Sequence, residues 1–420
     1  MKKKSLIFDA SILAENLLAS RGRSGIFFAT YNILYELIRS DEFNISLYCD
    51  TIYSKDFADF VQQNFGKNIN IYFGNRYGVF LEKMQFLDVK LRKSKHNILK
   101  LLLNLFVRKP VRFIGKFVSL PRFDIAFSPV RIFSKKIKAN NKYIILYDAT
   151  PVLFPEYYPQ YQLKKFWFND LVEYIKTKPN CKYFSISEHT KKDFIKLFDM
   201  NRDDIIVTPL AASDNFYHEK DKKKIEKICK KYGIPKNKKY VFSLCTLEPR
   251  KNLIRSVKTF IDFIKKNKIN DMVFVLGGAH WDEFIGKLEK EIKDLGKYKD
   301  KIIRAGYVDD KDLAALYSGA QWFVYTSQYE GFGLPPLEAM KCGTPVITSN
   351  NSSLPEVVGD AGIMIDYDSE KQHIAAYEKY YMDEKYRKEM AKKGLAHSKQ
   401  FSWNATAQII INQIKGDVNG

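Results

Sequence analysis

Short runs of β-branched and aromatic residues alternate with longer segments of helical period along the whole chain. This alternation is typical of parallel sheets joined by crossover helices, so it predicts an α/β fold. In the first half it predicts strands at residues 5–8, 44–49, 70–73, 124–128, 143–147, 182–187 and 204–209. In the second half it predicts strands at residues 240–244, 272–276, 302–307, 322–326, 345–349 and 362–366.

A stretch dominated by charge, residues 213–239, separates the two halves and suits a domain boundary. We predict two Rossmann-like domains, each a doubly wound parallel sheet, over residues 1–212 and 213–400. Because open α/β sheets bind ligands at the carboxyl ends of their strands, two such domains facing each other would hold a ligand in the cleft between them. Residues 401–420 have helical period and predict a helix that packs back towards the N-terminal domain.

Composition narrows the class of protein. A chain of 420 residues with 45% hydrophobic residues can build two or three cores, which excludes a disordered protein. The net charge of +21 favours an anionic partner, such as phosphate groups, nucleic acid or an anionic membrane surface.

The five cysteines are scattered without a Cys-x-x-Cys pair, which favours a reducing cytosol and disfavours a cysteine metal site. The first apolar run stops at Asp9, too early for a signal peptide. Nowhere do about 18 uncharged apolar residues follow one another, so we expect no membrane-spanning helix.

The densest chemical signal is the segment YEGFGLPPLEAM at residues 329–340, between two predicted strands. Gly331 and Gly333 allow the backbone to approach a ligand closely, and prolines are tolerated where a helix begins. We therefore predict a helix that begins at about Pro335. Its amino end would point at the cleft and offer a site for a phosphate group.

Two carboxylates flank this predicted helix start. Glu330 lies in the loop before the helix and Glu338 lies in its first turns, so both can line the same cleft. Carboxylates repel a phosphate but are good acceptors for the vicinal hydroxyl groups of sugars.

A second cluster, residues 246–252, follows the first predicted strand of the second half and precedes a helix that begins near Leu253. It holds the adjacent cations Arg250 and Lys251, which could neutralise a diphosphate. The two clusters together therefore indicate a ligand that carries both phosphate and sugar.

The second half resembles the retaining glycosyltransferases of family 4, the large group-1 family with the two-domain GT-B fold. The Glu-x7-Glu spacing of Glu330 and Glu338, within the run EGFGLPPLEAMKCGTPVITSNNSSLPEVVGDAG, carries the resemblance. It extends more faintly over most of the chain. By resemblance, Arg250 and Lys251 bind phosphate, Glu338 holds the ribose and Glu330 contacts the transferred sugar.

The same resemblance implies further contacts. We expect the donor nucleotide sugar to contact Glu338 and the neighbouring loop, namely Gly331, Phe332, Gly333 and Leu334. The segment RGRSGI at residues 21–26 resembles the glycine-rich loop that helps to place the diphosphate and the acceptor, through Gly25 and Gly22.

The segment LYDATP at residues 146–151 resembles the His-Asp loop of the family, with Tyr147 where histidine is expected and Asp148 after it. We expect these two residues to contact the acceptor or the sugar. The Gly-Arg pair that often begins the cationic loop is Cys245-Thr246 here, so one phosphate contact of some relatives is missing.

Two other features could form sites. Asp366 and Asp368 form an Asp-x-Asp pair, which binds Mn or Mg in another class of glycosyltransferase, but their place late in the chain favours a strand-ending turn. His189 follows Ser187, a suitable N-cap, and is predicted to be a surface residue at a helix start.

Residues 89–116 contain nine Lys and Arg residues and no Asp or Glu, interleaved with leucines and other apolar residues. This composition suits a helix lying on an anionic membrane surface, and the alternative is a core helix whose lysines face water. The hypothesis of a membrane-surface helix predicts a cytoplasmic protein held peripherally at the inner face of the membrane.

The sequence thus predicts a retaining, metal-independent glycosyltransferase that needs no cofactor and moves a sugar from a nucleoside-diphosphate donor to a hydroxyl of a glycan or lipid-linked acceptor. The LPPL segment at residues 334–337 resembles that of mannosyl and rhamnosyl transferases of bacterial surface polysaccharides, which makes GDP-mannose the first choice of donor. Two alternatives are a non-catalytic subunit that binds sugar nucleotides and a nucleic-acid-binding protein. The second lacks any recognisable nucleic-acid-binding arrangement of its basic residues.

Overall fold

The computed structural model describes residues 3–19, 25–52, 55–66, 69–75, 120–158, 167–177, 179–278 and 282–419. Within these ranges the first parallel sheet has seven strands in the order β3-β2-β1-β4-β5-β6-β7. They are β1 Ser5–Asp9, β2 Asn44–Ile52, β3 Asn70–Asn75, β4 Arg122–Ser128, β5 Lys138–Leu146, β6 Lys182–Ser185 and β7 Ile205–Val207.

The second parallel sheet has six strands in the order β10-β9-β8-β11-β12-β13. They are β8 Lys239–Leu244, β9 Met272–Gly277, β10 Ile302–Gly306, β11 Trp322–Tyr325, β12 Val346–Ser349 and β13 Ile363–Ile365. Each sheet grows in both directions from its first strand, which is the doubly wound arrangement. The predicted α/β fold class, with two Rossmann-like parallel sheets, is confirmed.

Helices connect most of these strands. The first unit, which is built around the sheet of strands β1 to β7, contains α1 Ser11–Ala19, α2 Gly25–Ser40, α3 Lys55–Phe65, α4 Thr150–Leu153, α5 Trp167–Lys176 and α6 Glu188–Phe198. The second unit, which is built around the sheet of strands β8 to β13, contains α7 Lys222–Lys231, α8 Leu253–Lys266, α9 Asp282–Asp294, α10 Asp310–Gly319, α11 Leu334–Lys341, α12 Leu354–Val358, α13 Glu370–Met382 and α14 Glu384–His397. Short 3-10 helices span Pro155–Tyr157, Arg202–Asp204, Pro249–Lys251, Gly296–Lys301 and Ser398–Gln400.

The strands form because their side chains are buried on both faces of each sheet. All six residues of strand β9 are buried, and strand β8 is buried from Tyr240 to Ser243. Helix α8 buries Leu253, Val257, Phe260 and Ile264, which recur every three or four residues and face the sheet. The buried apolar side chains form a continuous cluster that includes residues of both units.

The last helix, α15 Trp403–Asn419, returns from the second unit and packs against helix α2 of the first. Thr406 Oγ1 donates a hydrogen bond to the Pro209 carbonyl at 2.6 Å, and the Tyr143 hydroxyl donates to Asp417 Oδ2 at 2.8 Å. The predicted return of the C-terminal helix is confirmed. No helix in the described ranges is long and apolar enough to cross a membrane.

Candidate active site

A cleft of about 730 Å³ lies between the two units, at the carboxyl ends of strands from both sheets. It is lined by eleven of the twelve residues that the sequence predicts for the site: Gly25, Tyr147, Asp148, Arg250, Lys251, Glu330, Gly331, Phe332, Gly333, Leu334 and Glu338. The twelfth, Gly22, lies outside the described residues. The fold therefore brings these eleven residues together, and the role of each stays a prediction.

Two buried cations lie at one side of the cleft, in the 3-10 turn Pro249–Lys251 that follows strand β8. Arg250 and Lys251 are 8% and 7% exposed. Lys251 Nζ donates hydrogen bonds to Glu330 Oε1 at 2.6 Å and to the Tyr325 hydroxyl at 2.7 Å. Arg250 Nη1 lies 3.1 Å from the same carboxylate oxygen of Glu330.

A second carboxylate completes this cluster. Arg250 Nη2 donates to Glu248 Oε1 at 2.7 Å, and its Nη1 donates to the Tyr329 carbonyl. Two buried cations therefore face two buried carboxylates, Glu248 and Glu330. Such pairing is required because a buried charge without a partner is strongly unfavourable.

Pairing fixes the charge state of the cluster. Burial alone would raise the pKa of Glu330, but the positive charges of Arg250 and Lys251 lower it to about 2. Burial alone would lower the pKa of Arg250, but the carboxylates of Glu330 and Glu248 raise it well above its usual value. Both groups are ionised at neutral pH.

The loop before helix α11 is in close contact with the first unit. A Cβ atom on Gly331 would overlap the Tyr147 carbonyl oxygen and lie 2.8 Å from the Asp148 Cβ atom. Only glycine permits this approach. Gly333, the N-cap of helix α11, has φ of 118°, in the left-handed region that favours glycine.

Helix α11 begins at Leu334, one residue before the predicted start. Pro335 and Pro336 carry no N–H, so among the first three helical residues Leu334 alone can donate one. Any anion at this end would rely on the preceding loop amides and on the helix dipole.

Glu338 lies on helix α11 and lines the cleft about one turn from Leu334. The Tyr317 hydroxyl donates to its Oε2 at 3.0 Å. Burial raises the pKa of Glu338 to about 7, although the hydrogen bond from Tyr317 works in the opposite direction. Glu338 therefore differs from Glu330, because no described cation pairs with its carboxylate at salt-bridge distance.

The first unit supplies the opposite wall. Gly25 begins helix α2, and a Cβ atom there would lie 3.4 Å from Leu334 Cδ1. Burial raises the pKa of the Tyr147 hydroxyl, with Thr30 beside it acting in the opposite direction. Asp148 Oδ1 accepts a hydrogen bond from the Thr150 amide at 3.0 Å, which shapes the loop that faces Gly331.

Comparison with known proteins identifies the family. Residues 224–397 match the family described as Glycosyl transferases group 1. The O-antigen chain mannosyltransferase B of Escherichia coli is 33% identical over 265 residues, which are 63% of this chain and 68% of that protein. The chain belongs to the group 1 glycosyltransferases.

Two further comparisons place this group 1 glycosyltransferase among its relatives. The serotype-specific mannosyltransferase WbdA of Escherichia coli is 29% identical over 269 residues, which are 64% of this chain but 32% of that protein. The chain thus spans about a third of that relative's length. The crystal structure of Anabaena Alr3699/HepE in complex with UDP and glucose superposes with a TM-score of 0.66 at 15% identity, covering 98% of this chain and 100% of that one. The predicted GT-B architecture is confirmed.

Several contacts of this glycosyltransferase were not predicted. Glu248 lies inside the predicted cationic cluster, but its sequence position gave no sign that it would pair with Arg250. Glu356 of helix α12 accepts hydrogen bonds from the amides of Glu188 and His189, at 2.8 and 2.7 Å. It therefore caps helix α6 of the first unit from the second unit.

Helix α6 makes further contacts with the loop that carries Glu330. Its N-cap is Ser187, as predicted, which accepts from the Thr190 amide and donates to the Gly331 carbonyl at 2.7 Å. His189 lies at the helix start, as predicted, and the centroid of its ring lies 5.6 Å from that of Tyr329. The sequence signal for these contacts was limited to the N-cap.

The Asp366-Tyr367-Asp368 segment connects strand β13 to helix α13 as a turn. The Tyr367 carbonyl accepts from Asn252 Nδ2 at 2.6 Å, and the Asp368 carbonyl accepts from the Arg255 guanidinium. The described part of the chain contains no group of three His, Cys, Asp or Glu side chains arranged to hold a metal ion.

Proposed function

We propose that this glycosyltransferase moves a sugar from a nucleoside-diphosphate donor to a hydroxyl of a glycan or lipid-linked acceptor, in the synthesis of bacterial cell-surface polysaccharide. The observation that carries the proposal is the placement of Arg250 and Lys251 beside Glu330 in a cleft at the strand ends. Mannose is the first choice of sugar and GDP of nucleotide, since two relatives are mannosyltransferases by name.

Each charged residue has a distinct part in the proposed reaction. Negative charge grows on the leaving diphosphate in the transition state, and Arg250 and Lys251 stabilise it within a buried site. Glu330 orients the sugar ring, and Glu338 accepts hydrogen bonds from the ribose. This assignment makes the carboxylates positioning groups and not nucleophiles.

Retention of the anomeric configuration follows from a same-face reaction. The acceptor hydroxyl approaches the face from which the diphosphate departs, and a phosphate oxygen takes its proton. This route needs no protein general base. Tyr147 and Asp148 are proposed to contact the sugar or the acceptor from the wall of the first unit. Gly22, outside the described residues, is proposed as a further contact of this kind, and Gly25 is proposed to contact the donor.

The proposed reaction needs no metal ion, because two cations already face the expected diphosphate position. Transfer should therefore persist in excess EDTA, measured as product formed from a radiolabelled donor. Complete loss of transfer in EDTA, with rescue by Mn²⁺, would contradict this and would redirect attention to Asp366 and Asp368.

The function is tested with a panel of GDP-, UDP- and dTDP-sugars. Thermal shift identifies the donors that bind, and transfer is then measured with glycan and lipid-linked acceptors. We expect GDP-mannose to give the largest shift and the proton NMR spectrum of the product to show the donor's anomeric configuration. Absence of both transfer and donor hydrolysis across the panel would refute the proposed reaction.

A further inference from the structure

Glu248 is a buried carboxylate without a part in the mechanism above. It is 5% exposed and precedes the turn Pro249–Lys251 as its N-cap residue. The side chain of Glu248 makes no capping hydrogen bond to the amides of the turn. Its Oε1 instead accepts from Arg250 Nη2 at 2.7 Å and lies 3.9 Å from Lys251 Nζ.

Glu248 is linked to the cleft mainly through Arg250, to which it is hydrogen-bonded, because Lys251 Nζ at 3.9 Å lies beyond hydrogen-bond distance. Arg250 lines the cleft and Glu248 does not. The other terminal nitrogen of Arg250 donates to the Tyr329 carbonyl and lies 3.1 Å from Glu330 Oε1. A guanidinium held at both ends of its planar fork has little freedom to rotate.

We propose that Glu248 is a positioning residue that fixes the Arg250 guanidinium for the leaving diphosphate. The inference rests on the proposed function, because it assumes that a diphosphate occupies the cleft beside Arg250. Glu330 is less suited to this task, since its Oε1 is shared with Lys251 and the proposed reaction also uses it to hold the sugar.

The charge of Glu248 has two opposing effects on the reaction. The buried cluster of Arg250, Lys251, Glu248 and Glu330 has no net charge, and the carboxylate of Glu248 repels a diphosphate at any stage of the reaction. The orientation of Arg250 matters most in the transition state, where charge on the leaving oxygen is greatest. Removing the charge while keeping the shape should therefore tighten diphosphate binding and slow turnover.

The test compares Glu248→Gln and Glu248→Asp with the parent enzyme. GDP and UDP serve as probes in calorimetric titrations, and kcat is measured with the donor that the parent uses. For Glu248→Gln we expect about tenfold tighter binding of the diphosphate that the parent binds, with kcat reduced tenfold or more. Glu248→Asp keeps the charge, so its affinity for the diphosphate should match that of the parent. Its kcat should lie between those of the parent and Glu248→Gln.

Two controls separate positioning from other effects. Glu378→Gln removes the same charge from helix α13, where Glu378 pairs with Lys266 and Asn267, and should change neither quantity. In an Arg250→Ala background, adding Glu248→Gln should lower kcat no further, because the residue through which Glu248 acts is gone.

The outcomes distinguish the inference from the proposed function. If Glu248→Gln binds the diphosphate as weakly as or more weakly than the parent, the residue serves packing alone and the inference is wrong. If Glu248→Gln and Arg250→Ala lower kcat independently of each other, the inference is also wrong. If the parent neither binds a diphosphate nor transfers sugar, the proposed function and this inference both fail.

Discussion

Arg250 and Lys251 are neighbours in the chain, but the protein holds them differently. Arg250 contacts two carboxylates and the Tyr329 carbonyl, whereas Lys251 donates to one carboxylate and to the neutral hydroxyl of Tyr325. Lys251 therefore loses less favourable interaction energy within the protein when it turns towards an incoming phosphate. At the scale of single residues, this makes Lys251 the more adaptable cation and Arg250 the fixed one.

Replacing Lys251 by alanine should lower kcat by two orders of magnitude or more. This corresponds to ~3 kcal/mol for a lost donor to a transition-state oxyanion. The measurement is the initial rate at saturating donor, with thermal unfolding to confirm that the variant folds. Lys258→Ala, which removes a surface cation paired with Glu291, should leave kcat unchanged. A folded Lys251→Ala enzyme with normal turnover would refute its assignment.

Glu338 should make stability depend on pH. Burial raises its pKa in the folded state to about 7, above the ordinary value of an unfolded glutamate, so the folded protein binds the extra proton more tightly. The stabilisation is complete below about pH 4 and is lost as pH rises through 7, with a slope of at most about 1.4 kcal/mol per pH unit. Denaturant titrations from pH 4.5 to 8 measure it.

Glu338→Gln should flatten this part of the stability profile, because glutamine does not titrate. Glu330 offers an internal comparison, since its pKa of about 2 keeps it ionised throughout the same range. If the difference in unfolding free energy between the parent and Glu338→Gln does not vary with pH, the raised pKa is wrong.

At the scale of elements, the strands were predictable because parallel strands buried on both faces appear as short continuous apolar runs. Strand β5 is the informative exception. It begins at Lys138, five residues before the prediction, because the first residues of the strand, KANNK, are polar and largely outside the core. For strand β5, the hydrophobic pattern therefore located the buried part and missed the partly exposed extension.

The site was predictable only as far as local signals reach. Glycines, prolines and paired charges marked the loops after strands β8 and β11, and the fold places those loops together. The contacts of Gly331 with Tyr147 and of Glu356 with helix α6 join segments far apart in the chain. No local pattern encodes such partners, so the sequence alone could not identify these contacts.

Replacing Gly331 by alanine should separate the two loops that it now joins. The added methyl group would overlap the Tyr147 carbonyl, so the Glu330 loop must move away from the first unit. A displacement of about 1 Å can lower the rate about a hundredfold, and we expect a loss of kcat of that order. Gly416→Ala, on helix α15 with open space around it, should leave kcat unchanged. Normal kcat in Gly331→Ala would show that this close contact is dispensable.

At the scale of the whole molecule, the net charge of +21 is not explained by the candidate site. Among the residues that the structure describes, Arg250 and Lys251 in the cleft are balanced by Glu248 and Glu330, so this cluster does not account for the excess positive charge. Residues 89–116 carry nine cations and no Asp or Glu, and they lie outside the described residues. The proposal that this segment binds an anionic membrane surface accounts for charge that donor binding does not need.

The protein should sediment with vesicles that contain anionic phosphatidylglycerol and not with neutral phosphatidylcholine vesicles. Each cation near an anionic surface contributes up to about 1 kcal/mol, and leucines of the segment can enter the interface. Binding should weaken as salt rises, because ions screen the attraction. Replacing Lys90, Arg92, Lys93 and Lys95 by glutamine should loosen it, while transfer to a soluble acceptor stays nearly unchanged.

A matched control distinguishes this segment from general charge attraction. Four exposed lysines of helix α7, Lys222, Lys223, Lys227 and Lys230, can be replaced by glutamine to remove the same charge from the second unit. If residues 89–116 form the contact, these substitutions should weaken vesicle binding much less than the first set. Equal weakening by both sets would indicate diffuse attraction over the surface, and a parent protein that never binds the vesicles would refute the membrane proposal.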